Sequence, residues 1–131
     1  MNNISNITKL HEIYRDANDR KEQLHNIKAD IALARLCCEI IGFAYQIDED
    51  LLGKTRGAPK NAFARQLAMY LAHTGFGMSY YRVSIAFGRD RSTIAHACHL
   101  IEDKRDDAKF DNFVDDLNDL LLNIPKAAIA A

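Results

Sequence analysis

The sequence predicts an all-α fold, a bundle of five or six helices, on three observations. Ile94, Ala97, Cys98 and Ile101 recur at i, i+3, i+4 and i+7, the apolar stripe of a helix with one buried side. Phe110, Phe113, Val114, Leu117, Leu120 and Leu121 form a second such stripe between Asp107 and Asn123, backed by an Asp-rich face. No stretch of the chain reads as an unambiguous strand.

Taken in order, Ile7, Leu10, Tyr14 and Ala17 have helical spacing and lead into the polar run 16–22. This pattern admits a separate helix over Thr8 to Leu24, the start of a longer one, or a frayed arm. A helix from Ile27 to Tyr45 follows, with Ile31, Ala34, Leu36, Cys38, Ile41 and Tyr45 giving broad apolar coverage. Gly42 inside it costs roughly 1 kcal/mol relative to Ala. Gly53-Lys54-Thr55-Arg56-Gly57-Ala58-Pro59-Lys60 is a loop by its glycines and proline, and a basic one. From Lys60 to Thr74, Phe63, Leu67, Tyr70, Leu71 and Thr74 mark the next helix, ended by Gly75 and Gly77.

Residues 79–87 fit two periods. Tyr81, Val83, Ile85 and Phe87 alternate as in a strand, whereas Tyr80, Val83, Ser84 and Phe87 fit a helix capped by Ser79. Phe87-Gly88 supplies a tight turn. Asp90 then suits the N-cap of the helix that follows, its carboxylate positioned to accept from the N–H groups of residues 92 and 93. Pro125 stops the last helix, and residues 125–131 read as a tail.

Composition bounds the function. A chain of 131 residues with 48 % apolar and 27 % charged residues suits one small soluble domain. There is no secretory pattern, and Arg35 and Glu39 interrupt the most apolar stretch, Ile31 to Ile47, which argues against a membrane span. The three cysteines, two adjacent, suggest buried filler in a reducing compartment rather than a disulfide framework. The net charge of −1 hides a division: residues 54–105 carry nine basic and three acidic side chains, and both flanks are acidic. A basic centre of this kind can attract phosphate locally.

The helix begun at Asp90 therefore has a buried back and a front of Arg91, Ser92, Ala95, His96 and His99. A front of small polar and basic groups has the form of a DNA recognition helix, although a capped surface helix has the same spacing. Gly88-Arg89-Asp90-Arg91-Ser92-Thr93-Ile94-Ala95-His96-Ala97-Cys98 resembles the signature of the C-terminal DNA-binding domain (domain IV) of the bacterial replication initiator DnaA. That signature runs approximately Gly-Gly-Arg-Asp-His-Thr-Thr-Val-x-His-Ala. Ile41 to Lys54 is similar to the family's first helix and the start of its basic loop. Ala64-Arg65-Gln66-Leu67-Ala68-Met69-Tyr70-Leu71 is similar to the next helix. The resemblance covers about residues 33–122, and nothing in these residues resembles the family's ATPase module.

The resemblance implies a helical bundle containing a helix-turn-helix, and it selects helix for residues 79–87. It implies double-stranded DNA as the partner and a contact set. Ser92 and Thr93 match paired threonines that face base edges, and His96 matches a DNA-contacting histidine. Arg65 and Gln66 match a pair that grips the phosphate backbone. Lys54, Arg56 and Lys60 fall in the basic loop, whose arginine enters the minor groove; Arg56 is the candidate, with Lys60 beside it. Arg91 departs from the family's histidine, and arginine can reach guanine O6 and N7 with two bonds. Thr55 and Gly57 also depart from an arginine-rich loop. Asp90 is assigned the N-cap, with a base contact to cytosine N4 as a second role, and Arg89 the orientation of the turn or a pairing with an acid rather than sequence readout.

No catalytic, metal or cofactor site is expected. His96, Cys98 and His99 fall short of a zinc ligand set, no phosphate-cradling glycine loop precedes a Lys-Ser/Thr pair, and nothing groups a Ser/His/Asp triad. The expected organisation is a helical arm at 1–30, a DNA-binding domain at 31–124 and a tail at 125–131. The expected role is that of a standalone, cytoplasmic, nucleoid-associated protein that binds initiator-type boxes and regulates replication. The alternatives are a helix-turn-helix transcription regulator and an interaction module that has lost the DNA face. A homodimer or protein contact through the N-terminal helix is a further expectation, and dimerisation through residues 4–27 would lengthen the DNA site.

Overall fold

The computed structural model describes residues 3–53 and 59–124. Five helices follow one another: α1 (Asn3–Tyr45), α2 (Pro59–Gly75), α3 (Tyr80–Phe87), α4 (Arg91–Lys104) and α5 (Ala108–Leu122). The described residues contain no strand. The two segments expected before Tyr45 are one helix of 43 residues, about 65 Å long. Neither Gly nor Pro occurs before Gly42, so the polar run 16–22 offers nothing that breaks the hydrogen-bond ladder. Among the described residues, burial along α1 begins at Asp30 and continues through Ala34, Cys37, Cys38 and Ile41.

Gln46 ends α1 in the left-handed region at φ 55. Gln46 N–H donates to Phe43 O at 3.3 Å and Ile47 N–H to Gly42 O at 2.8 Å, a Schellman closure built on a residue other than glycine.

α2 is the central element and packs against each of the other four helices. Ala64, Leu67, Ala68, Met69, Tyr70, Leu71 and Ala72 are all buried, and the alanines let neighbouring helices come close. At its end, a Cβ on Gly75 would lie 3.0 Å from Leu121 Cδ1 of α5. α5 buries Val114, Leu117 and Leu121, while Leu120, expected in the same stripe, is 52 % exposed at its edge. Asp107 caps α5 by accepting from Phe110 N–H at 3.2 Å. Arg105 locks the α4–α5 corner: its Nε donates to Asp111 at 2.6 Å, its Nη1 to Tyr70 Oη at 3.0 Å, and its Nη2 to Asp115. The Asp111 bond, then the Tyr70 bond, raise its pKa.

Residues 80–87 are helical. Val83, Ser84, Ala86 and Phe87 are buried while Tyr81 and Ile85 face outward, so the alternating period was produced by two exposed apolar residues. Ser79 caps α3 by accepting from Arg82 N–H at 3.2 Å. Arg82 then grips α1, its Nε and Nη2 donating to the two Asp30 oxygens at 2.9 and 2.7 Å.

Candidate nucleic-acid interface

α3, the turn 88–90 and α4 make the helix-turn-helix. Its turn depends on Gly88 at φ 63, a conformation in which a Cβ would crowd the backbone. The Gly88 N–H bonds back to α3, and Arg89 N–H donates to Ser84 O at 3.0 Å. The chain thus reverses in three residues and delivers α4 with its N-terminus outward.

The division of α4 is sharp. Ile94, Ala97, Cys98 and Ile101 are buried to within 2 % of complete, anchoring the helix on the core. Arg91, Ser92, Thr93, His96 and His99 are exposed, and none of the described residues covers them. The first two turns offer a guanidinium, two hydroxyls and an imidazole to solvent. These groups can donate to acceptors on base edges, and the positive end of the helix dipole adds attraction for phosphate.

One sequence expectation is corrected. Asp90 occupies the N-cap position with extended backbone, but its side chain makes no capping hydrogen bond. Its carboxylate is exposed at the tip of α4. Spacing identifies a cap position; the rotamer decides whether the bond forms.

Arg65 also differs from a simple surface cation. It is 8 % exposed, and its Nε donates to Leu51 O at 2.9 Å. Burial, then the neighbouring Arg89 guanidinium, push its pKa down, against Cys38, Glu49 and Asp50. Arg89 Nη2 donates to Gly53 O at 3.3 Å, so Arg89 orients the turn by holding a carbonyl rather than an acid. Among the described residues its buried Nε has no hydrogen-bond partner. Two arginines therefore hold residues 51–53 against α2 and the helix-turn-helix corner, which starts the basic loop beside the tip of α4. Sequence reading missed this clamp because its acceptors are backbone carbonyls. Gln66, next to Arg65, is half-buried. Arg56 and the Lys60 side chain lie outside the described residues.

The model of the bacterial DnaA protein helix-turn-helix matches residues 35–101, from the buried half of α1 through most of α4. The chain belongs to the DnaA helix-turn-helix family. Chromosomal replication initiator protein DnaA 2 of Chlamydia trachomatis serovar D is 35 % identical over 95 residues, 72 % of this chain and 19 % of that protein. The DnaA 2 protein of Chlamydia pneumoniae is 33 % identical over the same share of each. DnaA 1 of Protochlamydia amoebophila is 46 % identical over 55 residues, 42 % of this chain and 12 % of that protein. The chain thus spans about a fifth of the length of the DnaA 2 relatives. No solved structure matches it. No helix among the described residues is long and apolar enough to cross a membrane.

Proposed function

We propose that the chain binds double-stranded DNA sequence-specifically, with α4 in the major groove. The observation that carries this reading is the split of α4 between a completely buried stripe and an uncovered leading face of Arg91, Ser92, Thr93 and His96. Arg91 reads guanine or holds a phosphate, Ser92 and Thr93 meet base edges and a thymine methyl, and His96 contacts a base or phosphate one turn later. Asp90, its carboxylate uncommitted at the tip, is suited to accept from a cytosine amino group.

Arg65 and Gln66 flank the groove as backbone contacts, with Arg65 held by the Leu51 carbonyl. Arg56 and Lys60 extend the contact from the basic loop. In this reading residues 31–124 form the DNA-binding unit and residues 1–30 an arm. The targets are initiator-type boxes, and occupancy of those boxes regulates replication initiation from a cytoplasmic, nucleoid-associated position.

Electrophoretic mobility shift on an initiator-type box, beside a scrambled duplex at the same moderate salt, tests the reading. Preferential retardation of the box is expected. Equal weak binding to both would leave a helical interaction module or a non-specific binder instead.

A further inference from the structure

Among the described residues, the first half of α1 leaves its apolar side chains in solvent. Every described side chain between residues 5 and 26 is exposed. Among them are five large apolar ones: Ile7, Leu10, Ile13, Tyr14 and Leu24, between 52 % and 70 % exposed. Helical stability in proteins comes mostly from packing an apolar face, and contiguous exposed apolar surface marks an interaction site.

The spacing of these residues has a specific form. Ile7, Leu10, Tyr14, Ala17, Lys21 and Leu24 alternate in steps of three and four, the seam of a two-helix coiled coil. The seam is self-complementary when two copies run antiparallel about the point between Arg15 and Asp16. In that register Ile7 meets Leu24, Tyr14 meets Ala17, and Leu10 lies along the aliphatic stem of Lys21. The largest seam residue falls opposite the smallest, and the one cationic position meets an aliphatic side chain.

Parallel in-register pairing would instead stack Tyr14 on Tyr14, leave a gap at Ala17 and oppose two Lys21 ammonium groups. A polar residue in the seam fixes register in this way. The charges do not oppose self-association: residues 5–24 hold four basic and four acidic side chains. Ile27, just beyond Leu24, lines a groove of about 520 Å³ with Asn26, Asp30, Tyr81, Arg82 and Ile85. The antiparallel register brings the first turn of the second copy level with that groove.

We propose that the exposed half of α1 is a homodimerisation arm that pairs antiparallel with the same segment of a second copy, Tyr14 against Ala17. The dimer joins two helix-turn-helix units through their arms and leaves both α4 faces uncovered. The proposal is independent of which DNA sequence, if any, α4 reads.

Two measurements on the 131-residue chain test it. Sedimentation equilibrium is expected to give twice the 14.8 kDa chain mass, falling to the monomer mass in Leu10→Asp/Tyr14→Asp. Circular dichroism and thermal unfolding of that variant check that residues 30–124 stay folded, as they should because both positions are exposed.

Orientation is read from a nitroxide on Lys9→Cys. The native thiols are buried, and burial raises Cys37 and pushes Cys38 and Cys98 up to about 12 and about 11, so they resist labelling. Antiparallel pairing sets the two labels about 20 Å apart along the axis, from 13 residues of helical rise. Parallel pairing would set them side by side. A monomer across the concentration range, a dimer unaffected by the double substitution, or labels in direct contact would each overturn the proposal.

Discussion

Truncating Arg82 should destabilise the chain more than truncating its partner Asp30. Asp30 sits where α1 meets α3, its side chain 8 % exposed, and both its oxygens accept from Arg82 at 2.7 and 2.9 Å. Arg82 is 47 % exposed. Arg82→Ala leaves a carboxylate buried with no counter-charge, which in a fully buried pair costs about 3–5 kcal/mol. Because half of the arginine is in water and screened, about 2 kcal/mol is the figure expected here.

Asp30→Ala leaves a guanidinium that can turn outward to solvent, and about 1 kcal/mol is expected. Urea denaturation of both single variants and the double variant gives the two costs and their coupling. The reasoning is refuted if Asp30→Ala proves the more damaging change, or if the coupling is below about 0.5 kcal/mol.

Four further outcomes are expected. Thr93→Ala should weaken the preferred duplex by about 1–3 kcal/mol while leaving a random duplex almost unchanged, read by fluorescence anisotropy; undiminished discrimination would remove Thr93 from base readout. Asp107→Ala should cost about 1 kcal/mol of stability and Asp90→Ala clearly less, because only Asp107 makes a capping bond. Gln46→Gly should stabilise the chain by roughly 1 kcal/mol, read as a higher urea midpoint, because glycine relieves the left-handed backbone that closes α1. Arg65→Ala should cost about 1.5–3 kcal/mol through its bond to Leu51 O. Compared as folded protein, it should also flatten the salt dependence of DNA binding by roughly one unit of slope; an unaltered slope would confine Arg65 to a structural role.

Periodicity made α4 and α5 legible, since each has one buried stripe and a polar remainder, whereas α2, buried nearly all round from Leu67 to Ala72, was legible from the loop before it and Gly75 after it. It failed at α3 because Tyr81 and Ile85 are apolar yet exposed, so burial and hydrophobicity part company over eight residues. It left α1 open because residues 16–22 are helix-compatible while their described side chains are exposed, and only the unbroken backbone joins the two halves. The front of α4 was readable from Arg91, Ser92, Thr93 and His96, whose outward placement follows from the stripe behind them. The clamp of Arg65 and Arg89 on residues 51–53 was not, because a carbonyl acceptor leaves no mark in the sequence. The same limit hid the missing cap at Asp90, which depends on a rotamer, and the Asp30–Arg82 pair, whose members lie 52 positions apart.

The most direct test of the central claim is a competition titration at one fixed, moderate salt concentration. A labelled initiator-type duplex bound to the chain is displaced by unlabelled box or by unlabelled scrambled duplex. The box should compete on the order of a thousandfold more effectively, the difference expected of specific over non-specific recognition. Equal competition by the two duplexes would contradict an α4 that reads base edges.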